Sequence, residues 1–151
     1  NLDSFLCGEN GVREILKKNG AGADISVMEG VMGYYDGIAG ISSEASAYDI
    51  ARITDTQVVM ILDCKGLSVS AVPCIQGFLH YKEDSRIKGV ILNRLSPMMY
   101  GRMKEMIEVQ TGIKVYGYVP VMKDCALESR YLGLKLPKER KDTEDKLTRL
   151  G

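Results

Sequence analysis

At 151 residues, 45% hydrophobic and 26% charged, the sequence amounts to one globular domain's worth of chain. Twenty basic residues balance twenty acidic ones, which removes the electrostatic argument for nucleic acid or for an anionic membrane surface. No apolar run approaches the ~20 residues of a membrane helix and no cleavable leader pattern opens the chain, so no membrane association and a cytoplasmic setting are expected.

Residues 1–6 read as a lead-in. Residues 8–20 carry Val12, Ile15 and Leu16 at helical spacing, and Asn19-Gly20 supplies a stop, which predicts an amphipathic helix. Residues 24–28 follow as a predicted buried strand, since Ile25-Ser26-Val27-Met28 is short and apolar and ends at Glu29-Gly30. Helix is the poorer reading there, because Gly30, Gly33 and Gly37 would each cost about 1 kcal/mol in a helix interior. The glycine-punctuated stretch through Tyr34-Tyr35-Asp36-Gly37 is the one around which the chain is organised.

A helix is predicted from Ser42-Ser43-Glu44 to about Ile53, then a strand over 57–63 ending in Asp63. A helix over 67–81 tolerates Pro73 only near its start. A strand over 87–93 ends in Asn93, a Met-rich helix covers 97–111, a strand over 112–120 stops at Pro120, and a charged helix is expected within 137–150. Met98, Met99, Met103 and Met106 have core-packing spacing. His80 lacks partners at ligand spacing, and Cys7, Cys64, Cys74 and Cys125 form no C-x-x-C pair, so all five read as structural or surface groups. The alternation predicts an α/β fold: a three-layer parallel sheet with right-handed crossovers and helices on both faces. Glu29, Asp63, Asn93 and Pro120 would then line one edge, at the carboxyl ends of the strands, where such sheets bind ligands.

The segment Glu29-Gly-Val-Met-Gly-Tyr-Tyr-Asp-Gly37 resembles the signature of the cobyrinic acid a,c-diamide synthases, which act on cobyrinate or hydrogenobyrinate. Asn1-Leu2-Asp3, Gly89-Val-Ile-Leu-Asn-Arg94 and Ser129-Arg-Tyr-Leu-Gly-Leu134 resemble that family's other landmarks, in order, across nearly the whole chain. The resemblance implies a phosphate-loop NTPase fold of the dethiobiotin-synthetase kind, incomplete at its N-terminus. No G-x-x-x-x-G-K-[ST] run is present and His80 is the sole histidine. The family's phosphate-binding loop and C-terminal glutamine amidotransferase domain are therefore expected to lie outside residues 1–151, which form part of an ATP-dependent synthetase domain.

The activity implied by the resemblance is ATP- and glutamine-dependent amidation of the a and c carboxylates of cobyrinic acid in cobalamin biosynthesis, through a phosphorylated carboxylate. ATP and Mg2+ are the implied cofactors. The implied partners are the corrinoid substrate and glutamine or ammonia, and this stretch alone is expected to be inactive. Glu29 is the implied Mg2+ ligand and Asp36 the acid at the activated carboxylate, although Asp-Gly by itself signals only a turn. Gly30 lets the backbone approach a ligand closely. Tyr34 and Tyr35 either lie against the macrocycle or merely pack. Asn93 is the implied adenine reader, with an amide that both donates and accepts, and Pro120 flanks the base.

Asp3 is expected near the corrinoid, and Arg130 either grips a substrate carboxylate bidentately or forms a surface ion pair. Tyr131 stands where the family usually has His, so no imidazole role is carried over. Unpaired sheet edges invite association, which leaves room for a homodimer. Two other classes stay open. One is a cobyric acid or dethiobiotin synthetase relative acting on a different carboxylate; the other is a non-catalytic module resembling partitioning ATPases, which no basic amphipathic tail supports.

Overall fold

The computed structural model describes residues 1–125, 129–130, 133–134 and 143–150. Helix α1, Ser4–Gly20, starts earlier than predicted because the Asp3 carboxylate accepts from Leu6 N at 3.0 Å and caps it. Gly8 kinks it at φ 64°, a backbone state that glycine adopts without penalty. Helix α2, Ala47–Ile53, is capped by Ser46, whose Oγ accepts from Asp49 N at 3.2 Å. The residues expected to open it form a turn instead, in which Ser42 Oγ accepts from Glu44 N at 3.0 Å.

Strand β1 (Val58–Asp63), helix α3 (Ala71–His80), strand β2 (Ile87–Asn93), helix α4 (Pro97–Thr111) and strand β3 (Lys114–Val119) follow close to their predicted bounds. Pro73 lies in the first turn of α3, where a missing N–H is tolerated. Helix α4 opens on Pro97 and closes on Gly112 at φ 71°. Beyond them β4 (Ser129–Arg130) pairs antiparallel with β5 (Gly133–Leu134), and α5 spans Thr143–Leu150.

The three long strands form a parallel sheet in the order β1-β2-β3. Met60, Val90, Leu92 and Val115 share its core with Ala71, Val72 and Ile75 of α3 and with Met103 and Ile107 of α4. Ile75, Val90, Leu92, Ile107 and Val115 are fully buried. At about 1.5–3 kcal/mol per buried aliphatic side chain, this face supplies most of the cohesion. Helices α1 and α2 pack on each other, burying Val12, Ala51 and Ile53. The four cysteines are unpaired, Cys64 and Cys125 buried, Cys7 and Cys74 exposed. Among the described residues no helix is long and apolar enough to cross a membrane.

Two expectations are corrected. Residues 24–28 form no strand, and Ile25, Val27 and Val31 are 79%, 88% and 92% exposed. A strand is defined by the ladder it shares with a neighbour, and the sheet here pairs β1, β2 and β3 with one another. Helices on both faces of the sheet are also not found among the described residues. Its order steps the same way twice, and right-handed crossovers stepping the same way put α3 and α4 on one face. Val59, Ile61 and Tyr116 on the other face are 46%, 67% and 52% exposed. The parallel α/β class itself is as predicted.

Candidate functional site

Asp63 and Asn93 are register partners at the carboxyl ends of β1 and β2, and Asn93 is opposite Val119 at the end of β3. The chain is braced as it leaves the sheet: Cys64 N donates to Asn93 O at 2.8 Å, and Leu95 N to Val119 O at 3.2 Å. Asp63, Asn93 and the half-buried Pro120 thus share the expected edge. Arg94, at φ 57°, reaches across to Asp63 with both arms of its guanidinium, Nε donating to Oδ1 at 2.7 Å and a terminal nitrogen to Oδ2. Lys65 N also donates to Asp63 Oδ1, at 3.1 Å. These donors, the guanidinium first, pull the Asp63 carboxyl down to about 2. Asn93 Oδ1 accepts from Arg94 N at 3.0 Å, and no hydrogen bond of the Asn93 NH2 is found among the described residues.

The Tyr-Tyr-Asp-Gly loop is a second built feature. Asp36 N donates to Gly33 O at 2.9 Å, Gly37 N to Ser42 O at 2.9 Å, and Ile38 N to Glu44 O at 3.0 Å. The Asp36 carboxylate folds back over Gly33, in the space a Cβ there would occupy. A Cβ on Gly37 would run into the Glu44 carbonyl and lie 2.7 Å from that of Ser42, so only glycine fits. Tyr34 and Tyr35 anchor the loop, donating their hydroxyls to Ser85 O and Phe78 O, each at 2.6 Å. Their rings cluster with Tyr48, Tyr81 and Phe78. Burial, then the neighbouring phenols, raises both hydroxyls, Tyr35 to about 12. Both tyrosines therefore have structural work whether or not a ligand reaches them.

The two features are not adjacent. Ser85 and Phe78 lie at the amino end of the sheet, and β2 alone runs about 20 Å from Ile87 to Asn93, at 3.3 Å per residue. Glu29, with no strand beneath it, is exposed and does not join Asp63 and Asn93 on their edge. Gly30 sits beside α2, where a Cβ would lie 3.2 Å from that of Ala47. The first turn of α2 gathers this segment: Tyr48 N donates to Tyr34 O at 2.9 Å, and Ser4, next to Asp3, donates its hydroxyl to Asp49 at 3.2 Å.

Asp3 itself caps α1. Arg130 lies in β4, and Tyr131 falls outside the described residues. The exposed His80 makes a local contact, Nδ1 to Gln76 O at 2.8 Å. Among the described residues no group of three or more His, Cys, Asp or Glu side chains is placed to hold a metal ion. Sequence reasoning missed the Asp63–Arg94 pair, although an acid at one strand end and an arginine just past the next strand end are the signal for it. It also missed the carbonyl anchors of the tyrosines, which no side-chain pattern records.

No protein-family model and no solved structure matches the chain. Among curated proteins it is similar to the cobyrinate a,c-diamide synthase of Caldanaerobacter subterraneus subsp. tengcongensis, 39% identical over 151 residues, covering 99% of this chain and 33% of that protein. The synthase of the same name from Listeria innocua serovar 6a is 39% identical over 148 residues, 97% of this chain and 33% of that protein. The one from Saccharolobus solfataricus is 33% identical over 146 residues, 96% and 32%. The chain spans about a third of the length of the curated relatives it matches. With similarity running almost end to end through the motifs at residues 1–3, 29–37, 89–94 and 129–134, the chain belongs to the cobyrinate a,c-diamide synthase family.

Proposed function

We propose that the chain is part of the ATP-dependent synthetase domain of an enzyme of cobalamin biosynthesis that amidates the a and c carboxylates of cobyrinic acid, with glutamine as the amide donor. The observation that carries this reading is 39% identity across 99% of the chain to a protein named cobyrinate a,c-diamide synthase. The braced carboxyl edge of a parallel sheet supports it, since such edges are where open α/β folds hold ligands. In this reading the fold is that of a phosphate-loop NTPase, and the phosphate loop and the glutamine amidotransferase domain belong to other parts of the enzyme.

The fit of the residues to the cofactors is partial. Without a G-x-x-x-x-G-K-[ST] run, nothing in residues 1–151 forms the usual cradle for ATP phosphates, and no step of phosphoryl transfer is assigned to them. Asn93 offers its NH2 to adenine, and its Oδ1, which already accepts from Arg94 N, keeps a second lone pair for the base. Pro120 would flank the ring. Magnesium takes one or two carboxylates with water and phosphate oxygens, and supplies charge neutralisation when bound. Glu29 offers one such carboxylate. Asp36 is exposed, and its carboxylate would swing off Gly33 to meet the reacting carboxylate, with Tyr34, Tyr35, Asp3 and Arg130 assigned to the corrinoid. For Asp36 and Asn93 to serve one substrate, the 24–37 segment must reach the carboxyl edge.

The test places this chain in the Caldanaerobacter synthase in exchange for the matching third, and measures ATP- and glutamine-dependent conversion of cobyrinic acid to its diamide. Diamide formation is expected, falling about a hundredfold or more in Glu29→Gln and in Asp36→Asn. Residues 1–151 alone should give no turnover with glutamine or with ammonia. A folded, ATP-binding chimera that makes no diamide moves the assignment to another carboxylate-activating ligase.

A further inference from the structure

Arg94 and Asp63 have no part in the function as stated, yet they occupy its ligand edge. We propose that Arg94 is an oxyanion-binding residue held in reserve by Asp63, whose carboxylate occupies the position that a phosphate or carboxylate group of a ligand would take. The inference deepens the proposed function, whose two ligands both carry this chemistry, and it rests on that reading for the identity of the ligand.

A guanidinium offers a planar fork matched to carboxylate and phosphate alike, and Asp63 fills that fork from a neighbouring strand end. The pair is solvent-facing, with side chains 44% and 51% exposed, so it adds little to stability. It nevertheless coincides with a left-handed backbone at Arg94, a conformation unfavourable to any residue with a Cβ. The cross-strand bonds at Cys64 and Leu95 fix the edge on either side, so the guanidinium is aimed rather than loose. Lys65 stands two residues beyond Asp63, leaving a net positive charge once that carboxylate is displaced.

A second αL arginine serves as an internal control. Arg86, at φ 58°, pairs with Asp55 and Asp84 at the amino end of the same sheet, where α/β folds do not hold ligands. If αL arginine–aspartate pairs are merely how this sheet finishes its strands, the two should behave alike.

The experiment is a two-dimensional NMR titration of the 151-residue chain with inorganic pyrophosphate and, separately, citrate, at constant ionic strength. Saturable shifts of the Asp63, Lys65, Asn93 and Arg94 amides are expected, with Asp63→Asn tightening binding about threefold by removing the competing carboxylate. Arg94→Gln should abolish saturation, Arg94→Lys should weaken it because charge without the fork is not enough, and Arg86→Gln should leave it unchanged. Tighter pyrophosphate assigns the site to nucleotide phosphate; tighter citrate assigns it to substrate carboxylate. Equal affinity in Asp63→Asn and the parent chain overturns the proposal, as does equal loss in Arg94→Gln and Arg86→Gln. Because the readout is anion binding, its failure leaves the amidation reading standing, and an inactive chimera with intact Arg94 binding does the reverse.

Discussion

Replacing Gly37 with alanine tests whether the Tyr-Tyr-Asp-Gly loop is a built structure. The new methyl would meet the Glu44 carbonyl and lie 2.7 Å from that of Ser42, so the chain must shift. These carbonyls accept from Ile38 N and Gly37 N, so the shift breaks both bonds closing the turn. At about 1 kcal/mol net per hydrogen bond the loss is about 2 kcal/mol, offset by up to about 1 kcal/mol from the reduced freedom of the unfolded chain. A net cost of about 1–2 kcal/mol corresponds to an opening equilibrium raised about tenfold.

Amide hydrogen exchange reads this directly. Protection of Gly37 and Ile38 should fall about tenfold, while the amides of β2, buried in the separate α3/α4 core, keep theirs. Gly8→Ala provides the contrast, since a Cβ at Gly8 meets no atom within 4 Å and only the φ of 64° opposes it. Unchanged protection at Gly37 and Ile38 in Gly37→Ala would refute the steric argument. Loss spreading equally through β2 would show that the loop and the core are one cooperative unit.

Leu92→Ala, at a fully buried position of the central strand, should cost about 2–5 kcal/mol in urea denaturation, and a cost under about 1 kcal/mol would mean the α3/α4 face is not the main core. The Asp63 carboxyl, held at about 2 chiefly by Arg94, gives an acid-side signature. Its folded value lies below the ordinary value of about 3.9, so its contribution is present above that pH and is lost as pH falls through about 2. Arg94→Gln should return the Asp63 carboxyl toward the ordinary carboxylate range, read by NMR titration of that side chain, and an unchanged midpoint would show that the pair is not formed in solution.

What the sequence revealed follows from which interactions are local. The helix over 97–111 was legible to the residue because Pro97 and Gly112 punctuate it, and β2 because its apolar run is bounded and buried. The 24–28 segment has the same local signature as β1, but strand identity depends on a neighbour, which composition does not encode. Placing helices on both faces of the sheet assumed a reversal in strand order, and reversal is a property of the path rather than of any residue. At the candidate site, Asp63, Asn93 and Pro120 were legible as strand ends. The separation of the tyrosine loop from them was not, because it is set by bonds to the carbonyls of Ser85 and Phe78.

The crowding of aromatic rings around this loop has an optical consequence. The chain has eight tyrosines and no tryptophan, so its near-ultraviolet signals are dominated by phenols. Four of the eight, Tyr34, Tyr35, Tyr48 and Tyr81, stack around one loop, with centroids 4.7 Å apart for Tyr34 and Tyr35 and 4.9 Å for Tyr35 and Tyr81. Rings this close couple their transitions, so circular dichroism in that region is weighted toward the loop rather than averaged over the protein. In alkaline titration Tyr34 and Tyr35 ionise after unperturbed phenols, which separates their absorbance change from the rest. The segment that presents Asp36 thus carries its own spectroscopic label, and movement of the loop on ligand binding can be followed without adding a probe.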